Sequence, residues 1–422
     1  MENNQLRRVN IEHPHEIWPP AASQEELNDL IVQRNLDIGI KGKTGPIEKF
    51  ENAFLDFLEN KAKFSLSFNS GTSGLFAAYF AIGIEEGDEV IGPALTYHAA
   101  LSPVYILKGS VVLCDIDEKT RCIDARKIEK LITKKTKAIT VVHQWGHPAE
   151  MDTILSLAKK YNLYVIEDCS HAHGSKYKGR VCGTMGDVGV FSLQTNKAIF
   201  AGEGGILVTN KTKLYERATL LGHYRDRCKE EIKDPKLNTL WPTGFGLKLR
   251  LSPFNAIVAY HSLINFPEIK RNRHKCLNYF NSMIQKKLKS IIPHFVDDNV
   301  EMGAWYGMKP LYNQSVFPQL GRDKFIKIMN DCGIEVSAPS GGVLSKMPLY
   351  SSTTSIPYMS NFVQISNLFA DVPVAKDVES RAFSFPTFYN FEKDKETIDQ
   401  YINVIMDIET KISKGEQNVL EY

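Results

Sequence analysis

The sequence lacks three features that would assign it to a special class of protein. No apolar run approaches the ~18 residues of a membrane span, and the first residues have no apolar segment typical of a signal peptide. An excess of one charge is also missing, because 51 Lys and Arg against 49 Asp and Glu give a net charge of +2. A chain with so small a net charge has no strong positive field that would attract a nucleic-acid backbone or an anionic bilayer. We expect a cytoplasmic protein that binds neither nucleic acid nor membranes.

Cysteines are few and scattered. There are seven, an odd number, and no two form a C-x-x-C pair, so neither a disulfide framework nor a thiolate-rich zinc site is expected. The closely spaced His171 and His173 have no pair of thiolates beside them to complete a metal site. The sequence therefore predicts buried, apolar cysteine side chains and no metal.

The rest of the composition is that of a folded globular protein, with 43% hydrophobic and 24% charged residues. At ~100–200 residues per domain, the chain is long enough for two or three structural units. Polar residues interrupted by prolines predict an N-terminal arm over residues 1–45. The patterns that follow predict a large α/β domain over 46–264 and a smaller C-terminal α+β domain over 265–422.

Short apolar runs alternate with helical patterns between residues 62 and 210. Strands alternating with helices indicate a mostly parallel sheet covered on both faces. In such sheets ligands bind outside the carboxyl ends of the strands, so chemistry is expected where these runs end. The predicted strands are Phe64–Phe68, Glu89–Pro93, Ser110–Asp115, Ala138–Val142, Leu163–Glu167, Asp187–Leu193 and Ile206–Thr209.

Three segments at these ends carry candidate chemistry. The small residues of Asn69–Gly74 precede a helix whose free N–H groups could bind an anion, although they could also form an ordinary turn. Asp168 ends an apolar strand, where a buried carboxylate needs a cation; a capping or salt-bridged aspartate is the alternative. Lys197 lies between apolar residues just before a glycine-rich bend. Burial would lower the pKa of its amine and make it a Schiff-base nucleophile, unless the side chain extends to the surface.

Pyridoxal 5′-phosphate (PLP) requires three groups that these segments offer: an anion site for its phosphate, a carboxylate for its protonated ring nitrogen, and a reactive amine for its aldehyde. Six motifs follow one another along the chain: SGTSGL, GDEVIGPALTYHA, VVHQWGHPAEMD, VIEDCSHAHGS, GDVGVFSLQTNK and GEGGILVTN. In order and approximate spacing they resemble the motifs of the DegT/DnrJ/StrS-like family of sugar aminotransferases, and this similarity runs from about Gly45 to Ala259 and more loosely to the end. The resemblance implies the aspartate aminotransferase-like, fold-type-I architecture of PLP-dependent transferases.

The resemblance implies roles for individual residues. Lys197 matches the catalytic lysine that forms the internal aldimine. Gly71 and Thr72 match the family's phosphate turn, and Ser192 matches a serine that binds the phosphate. Tyr97 matches the aromatic residue that stacks on the cofactor ring, with core packing as the alternative.

Further positions follow from the same similarity. Asp168 matches the partner of the pyridinium nitrogen, and His171 takes a position beside the ring, unless it is a structural histidine. Lys248 stands where the family has an asparagine that reaches the phosphate of the neighbouring subunit, which implies a homodimer with shared active sites; an exposed surface lysine is the alternative. Gln194 and His223 are candidate substrate residues.

Residues 223–245 interrupt the pattern with a charged, turn-rich excursion, and its aromatic and basic side chains are candidates to shape the acceptor pocket: Tyr224, Arg225, Arg227 and Trp241. The retained Lys197 favours transamination, because sugar dehydratases of the family carry histidine there. The resemblance thus implies transfer of an amino group from glutamate or glutamine, through pyridoxamine phosphate, to a keto sugar (nucleotide-linked or free) or a keto-cyclitol. Elimination, epimerisation or decarboxylation on the same scaffold, or a non-catalytic PLP-binding protein, are the alternatives.

Overall fold

A computed structural model describes residues 6–10, 18–36, 42–351 and 371–415 of the chain. The N-terminal arm predicted over residues 1–45 therefore lies partly outside the described residues. The α-helices are α1 (Gln24–Leu36), α2 (Gly45–Phe57), α3 (Gly71–Ile82), α4 (Ser102–Ile106), α5 (Ala125–Ile128), α6 (Met151–Tyr161), α7 (Thr212–Gly222), α8 (Asp226–Glu231), α9 (Pro235–Asn238), α10 (Pro253–Lys287), α11 (Arg322–Asp331), α12 (Pro348–Ser351), α13 (Pro373–Arg381) and α14 (Phe391–Ser413). The strands are β1 (Phe64–Phe68), β2 (Glu89–Pro93), β3 (Leu95–Thr96), β4 (Ser110–Cys114), β5 (Thr136–Val142), β6 (Tyr164–Asp168), β7 (Ser175–Tyr177), β8 (Arg180–Val181), β9 (Val188–Ser192), β10 (Gly205–Thr209), β11 (Ile291–Ile292), β12 (Val300–Met302), β13 (Leu311–Tyr312) and β14 (Gly342–Val343).

A seven-stranded sheet forms the centre of the molecule, in the order β1-β10-β9-β6-β5-β2-β4. Strands β9, β6, β5, β2 and β4 pair in parallel, whereas β10 runs antiparallel to both β1 and β9. The predicted α/β architecture with a mostly parallel sheet is confirmed. Because parallel strands share a direction, their carboxyl ends lie along one edge of the sheet.

Both faces of this sheet are buried, which explains why its strands are continuous apolar runs. Alternate residues of a strand point to opposite faces. On β9, Val188 and Val190 therefore pack into a core with α3 and α7, while Phe191 packs into another with α2. The helix α6 covers the same face as α2, over strands β4, β5 and β6.

A separate core lies in the C-terminal part of the chain and is built largely from α10, α11 and α14. The helix α10 begins at Pro253, and the hydroxyl of its N-cap, Ser252, accepts from the N–H of Phe254 at 3.3 Å. The helix continues to Lys287. The domain boundary predicted between residues 264 and 265 therefore falls inside α10, which passes from the sheet's core to the C-terminal core.

The predicted excursion over residues 223–245 contains the short helices α8 and α9. Arg227 is buried and donates two hydrogen bonds to the carboxylate of Glu51 on α2, at 2.9 and 2.8 Å. The backbone N–H and hydroxyl of Ser67 donate to the same carboxylate at 2.8 and 2.7 Å. Burial alone would raise the pKa of Glu51, but Arg227 holds that pKa below its ordinary value. Arg227 thus ties the excursion to the α/β core.

Two predictions about general character can be compared with this structure. The seven cysteines are all buried and unpaired, as predicted. Within the described ranges, none of the helices combines the length and apolar character that crossing a membrane demands.

Candidate active site

A cavity of about 430 Å³ lies at the edge of the sheet where the parallel strands end. The structure brings eight of the sequence-predicted residues to its wall: Gly71, Thr72, Tyr97, Asp168, His171, Ser192, Gln194 and Lys197. They lie at or after the ends of four strands, β1, β3, β6 and β9, so the cavity joins segments that are more than 120 residues apart in the chain. This convergence is what the rule about strand ends predicts.

The N-terminus of α3 forms one wall of the cavity. Ser70 is its N-cap, and the Ser70 hydroxyl accepts from the N–H of Ser73 at 3.0 Å. Gly71 and Thr72 are the first helical residues, so their N–H groups have no partner within the helix. A Cβ atom on Gly71 would lie only 2.8 Å from the Cβ of Ser192. Glycine therefore lets the helix start approach β9 closely, and the helix dipole favours an anion there.

Asp168 ends β6 on the floor of the cavity. The side chain is 6% exposed, and its carboxylate accepts from the N–H of Ser170 at 3.0 Å. Burial raises the pKa of Asp168, while this hydrogen bond and the charge of Lys197 act in the opposite direction. A carboxylate whose ionised form is penalised by burial favours a cation in contact with it.

Lys197 lies in the loop between β9 and β10, and its backbone N–H donates to the carbonyl of Gln194 at 2.8 Å. The side chain is 9% exposed, and its Nζ lies 4.4 Å from the centroid of the Tyr306 ring. Burial lowers the pKa of Lys197 to about 8, and Asp168 partly opposes this shift. With a pKa of about 8, roughly a tenth of the amine is deprotonated at pH 7 and about half at pH 8, and the deprotonated form is able to attack a carbonyl.

His171 stacks face to face on Tyr306, with ring centroids 3.8 Å apart and planes inclined by 17°. The backbone N–H of Trp145 donates to His171 Nδ1 at 3.4 Å. Burial, followed by the charges of Lys197 and Lys309, lowers the pKa of His171 well below its ordinary value. The imidazole is thus neutral, and because Nδ1 accepts, its Nε2 carries the proton and can donate to a ligand.

Tyr97 lies at the rim of the cavity with 55% of its surface exposed. Gln194 uses its side-chain Oε1 to accept from the N–H of Asn196 at 2.9 Å, within the loop that carries Lys197. Neither residue is part of the hydrophobic core. Both are available to a ligand that fills the cavity.

Two predicted residues are not brought to this cavity. His223 is buried, its ring packs edge-on against Phe68 at 5.7 Å, and burial lowers its pKa well below the ordinary value. Lys248 is exposed and does not line the cavity of its own chain. The prediction that Lys248 acts across a subunit interface requires a second chain and stays a prediction.

Sequence reasoning missed several residues of the wall. Gln144 and Trp145 follow the end of β5 after one intervening residue, and the rule about strand ends would have found them. Tyr306 and Ser340 come from the C-terminal part of the chain, and the sequence offered no local signal for them because only tertiary packing brings them here.

A buried cluster of His143, Glu167 and Cys169 lies close to the cavity floor, with potential ligand atoms within 4.8 Å of one another. The N–H of Ala149 donates to His143 Nδ1 at 3.0 Å, so Nε2 carries the proton that it shares with Glu167, also at 3.0 Å. The same carboxylate accepts from the backbone N–H groups of Gly183, Met185 and Gly186. The ring nitrogens of His143 and the carboxylate of Glu167, which could bind a metal, are thus already used in hydrogen bonds. These hydrogen bonds fix the end of β6.

The residues at the wall fit PLP. The start of α3 with Ser192 offers an anion site, Asp168 is a buried carboxylate that favours a cation, and Lys197 is a buried amine with a lowered pKa. The phosphate, the protonated ring nitrogen and the aldehyde of the cofactor need these three groups.

Comparisons with known proteins agree with the geometry. A chain of 46% identity over 178 residues is GDP-perosamine synthase from Escherichia coli O157:H7; the match covers 42% of this chain and 48% of that protein, so the chain spans about half of that relative's length. L-glutamine:2-deoxy-scyllo-inosose aminotransferase from Streptoalloteichus tenebrarius is 34% identical over 284 residues, covering 65% of this chain and 66% of that protein. An aminotransferase structure from Psychrobacter cryohalolentis superposes with a TM-score of 0.79 and 26% identity, over 93% of this chain and 98% of that chain.

The profile of the DegT/DnrJ/EryC1/StrS aminotransferase family matches residues 22–403. The match confirms the family that the six motifs predicted, and with it the fold and the cofactor. The chain belongs to the DegT/DnrJ/EryC1/StrS aminotransferase family and is a PLP-dependent aminotransferase.

Proposed function

We propose that this chain transfers the amino group of glutamate or glutamine to the keto group of a sugar, nucleotide-linked or free, or of a keto-cyclitol. The observation that carries the proposal is the meeting of Lys197, Asp168 and the start of α3 in one cavity. Relatives named for GDP-perosamine and for 2-deoxy-scyllo-inosose support these two acceptor classes. Seven free, buried cysteines support a reducing compartment such as the cytoplasm.

The cofactor, when bound, supplies an electrophilic carbonyl and an electron-accepting ring. Asp168 would hold the ring nitrogen in its protonated form, because a buried carboxylate stabilises a cation beside it. The N–H groups at the start of α3, together with Ser192, would bind the phosphate. Tyr97 would cover one face of the ring, and His171 would donate a hydrogen bond from Nε2.

Lys197 would have a second task whenever its amine is free. The free amine would take the proton from Cα of the donor amino acid and would later return a proton within the same cavity. A base works best when its pKa lies near the operating pH, and burial lowers the pKa of Lys197 to about 8. The same burial thus serves both attack and proton transfer.

The wall of the active site also leaves room for an acceptor. A cavity of about 350 Å³ adjoins it and shares Thr96, Gln144, Trp145 and Ser340 with it. Pockets of several hundred Å³ with a few polar groups are typical of small-molecule sites. We therefore place the acceptor's keto carbon near Lys197 and the remainder of the acceptor toward this second cavity.

A panel experiment tests the activity. The protein loaded with pyridoxamine phosphate is mixed with keto sugars and keto-cyclitols, and conversion of the cofactor to its aldehyde form is followed by absorbance. At least one member of the panel should restore the aldehyde spectrum, and Lys197→Ala should abolish turnover while remaining folded. Full transaminase activity in Lys197→Ala, or no acceptor and no 2-oxo acid release from any donor, would overturn the proposal.

We also propose a homodimer in which Lys248 reaches the partner's phosphate. Tyr97 at the cavity rim, Lys248 and the nearby Phe245 are all exposed in the single chain, with Phe245 54% exposed. A second subunit that brought Lys248 to this site would cover the exposed rings of Tyr97 and Phe245. A cation at that interface could serve a phosphate as a charged donor.

Mixing two inactive variants tests the shared site. In a mixed dimer of Lys197→Ala and Lys248→Met, one site keeps both native lysines only if Lys248 acts across the interface. Activity should therefore reappear after the variants are unfolded and refolded together, approaching a quarter of the wild-type value for random pairing. An inactive mixture, or an active monomer in gel filtration, would contradict the arrangement.

A further inference from the structure

A tryptophan from the N-terminal segment reaches the loop that carries the reactive lysine. The indole Nε1–H of Trp18 donates to the backbone carbonyl of Thr195 at 2.9 Å. Thr195 precedes Lys197 by two residues. The contact joins parts of the chain that are 177 positions apart.

The peptide that follows Thr195 is held from both sides. In a trans peptide the C=O and N–H groups point in opposite directions. The C=O of Thr195 is bound by Trp18, while the N–H of Asn196 donates to Gln194 Oε1 at 2.9 Å. The next N–H, that of Lys197, donates to the carbonyl of Gln194 at 2.8 Å. Thr195 also donates from its N–H and its hydroxyl to the carbonyl of Gly202 in the same loop, at 2.9 and 3.1 Å. Of these hydrogen bonds around the peptide before Lys197, the one from Trp18 comes from outside the loop.

Trp18 is itself firmly placed. The guanidinium of Arg273 on α10 lies 4.0 Å from the centroid of the indole, and Arg273 is buried. The rings of Phe200 and Tyr389 contact the indole edge-on, with centroids at 5.5 and 5.2 Å. A cation desolvated against an indole face is attracted to it, so the indole cannot turn away without uncovering Arg273.

We propose that Trp18 is a positioning residue for Lys197, acting through its indole N–H on the peptide before the lysine. The inference rests on the proposed role of Lys197 as the reactive amine. Trp18 touches neither the cavity nor the reacting atoms. Its effect is to hold the loop in the geometry that keeps the amine buried and directed at the cofactor.

Loss of the indole N–H of Trp18 should raise the pKa of the Lys197 amine. Without its donor, the carbonyl of Thr195 must find water, and the loop relaxes toward solvent. The amine of Lys197 then gains hydration, so its pKa rises from about 8 toward the ordinary lysine value. If the pKa reached about 9, the deprotonated fraction at pH 8 would fall about fivefold.

Trace acetylation of the apoprotein as a function of pH measures this directly, with peptide mass spectrometry reporting each lysine. Trp18→Phe keeps an aromatic ring at this position, although a smaller one, and removes the N–H donor. Tyr389→Leu keeps the donor and removes one ring contact. We expect Trp18→Phe to slow acetylation of Lys197 at pH 8 several-fold and to move its profile to higher pH, and Tyr389→Leu to leave that profile in place. Lys309 is an internal control, because burial lowers its pKa to about 8 as well.

The results distinguish a specific effect of Trp18 on Lys197 from no effect and from a general loosening of the protein. A Lys197 profile in Trp18→Phe that coincides with wild type overturns the proposal, as does an equal shift in Tyr389→Leu or at Lys309, which would indicate general loosening. The measurement needs no cofactor and no substrate. It therefore stands apart from the acceptor panel, whose failure would count against the proposed function alone.

Discussion

Adding one methyl group at Gly71 tests the phosphate site at the start of α3. The Cβ of Gly71→Ala would lie 2.8 Å from the Cβ and 3.0 Å from the Cα of Ser192, whereas ordinary contacts begin at 3.4 Å. The gap must therefore widen by 3.4 minus 2.8, about 0.6 Å. Because Ser192 belongs to a strand paired on both sides, the helix start is the part that moves.

The size of the effect follows from what that displacement breaks. Overpacking of this kind costs ~1–3 kcal/mol of unfolding free energy, and the better helix propensity of alanine returns up to ~1 kcal/mol. The N–H groups at the helix start move away from the phosphate, and one charge-assisted hydrogen bond is worth ~1.5–3 kcal/mol. At ~1.4 kcal/mol per factor of ten, the dissociation constant of the cofactor should rise about 10- to 100-fold.

Titration of the apoprotein with PLP, followed by absorbance, gives the affinity, and urea unfolding gives the stability. Gly74→Ala is the matched control, because its Cβ would meet the Val190 side chain at 2.9 Å in the same helix but away from the cavity. Gly74→Ala should lose stability and keep its affinity for PLP. Gly321→Ala, at the N-cap of α11 with nothing within 4 Å of the added Cβ, should also keep its affinity. Wild-type affinity in Gly71→Ala, or equal weakening in Gly74→Ala, would refute the reasoning.

Three further predictions use the electrostatics of the chain. Asp168→Asn should lower the pKa of Lys197 below about 8, because Asp168 is the charge that raises it; an unchanged pH profile of acetylation would contradict this. PLP uptake by the apoprotein should rise with pH and level off above about 8, since only the deprotonated amine attacks; a rate still climbing toward pH 10 counts against a buried amine. Arg227→Met should cost up to ~3–5 kcal/mol in urea unfolding, because it removes the buried guanidinium that pairs with Glu51 and leaves the carboxylate to Ser67 and the more distant Lys43; Lys160→Met, an exposed control, should keep the wild-type midpoint.

The strands of the sheet could be predicted because the signal for each strand, a continuous apolar run, lies within a few neighbouring residues. Strands buried on both faces must be apolar throughout, so each of the seven runs stands out from its polar surroundings. The start of α3 was harder, since Gly71 and Thr72 resemble turn residues and the helix was expected from about Leu75. The structure begins the helix at Gly71, because Ser70 caps it, and this places the free N–H groups at the cavity.

Features that depend on distant partners were not predictable. In the sequence, Arg227 is one of many charged residues in a polar excursion. Only the fold shows that it forms an ion pair with the buried Glu51. Trp18 lies in a segment interpreted as a polar arm, and a single indole N–H leaves no periodic signal. The same applies to Tyr306, whose ring contacts both His171 and Lys197.

A perturbed pKa does not by itself identify the reactive lysine of this fold. Burial lowers the pKa of Lys309 to about 8, the same value as for Lys197, and Lys309 Nζ donates to the hydroxyl of Ser384. Among the described residues that line the active-site cavity, Lys309 is absent. What distinguishes Lys197 is position: its amine shares a cavity with a buried carboxylate and a helix N-terminus, both carried to that edge by strands running in one direction. The parallel topology of the sheet therefore decides which lysine can be the reactive one, and desolvation only adjusts the pKa of that lysine.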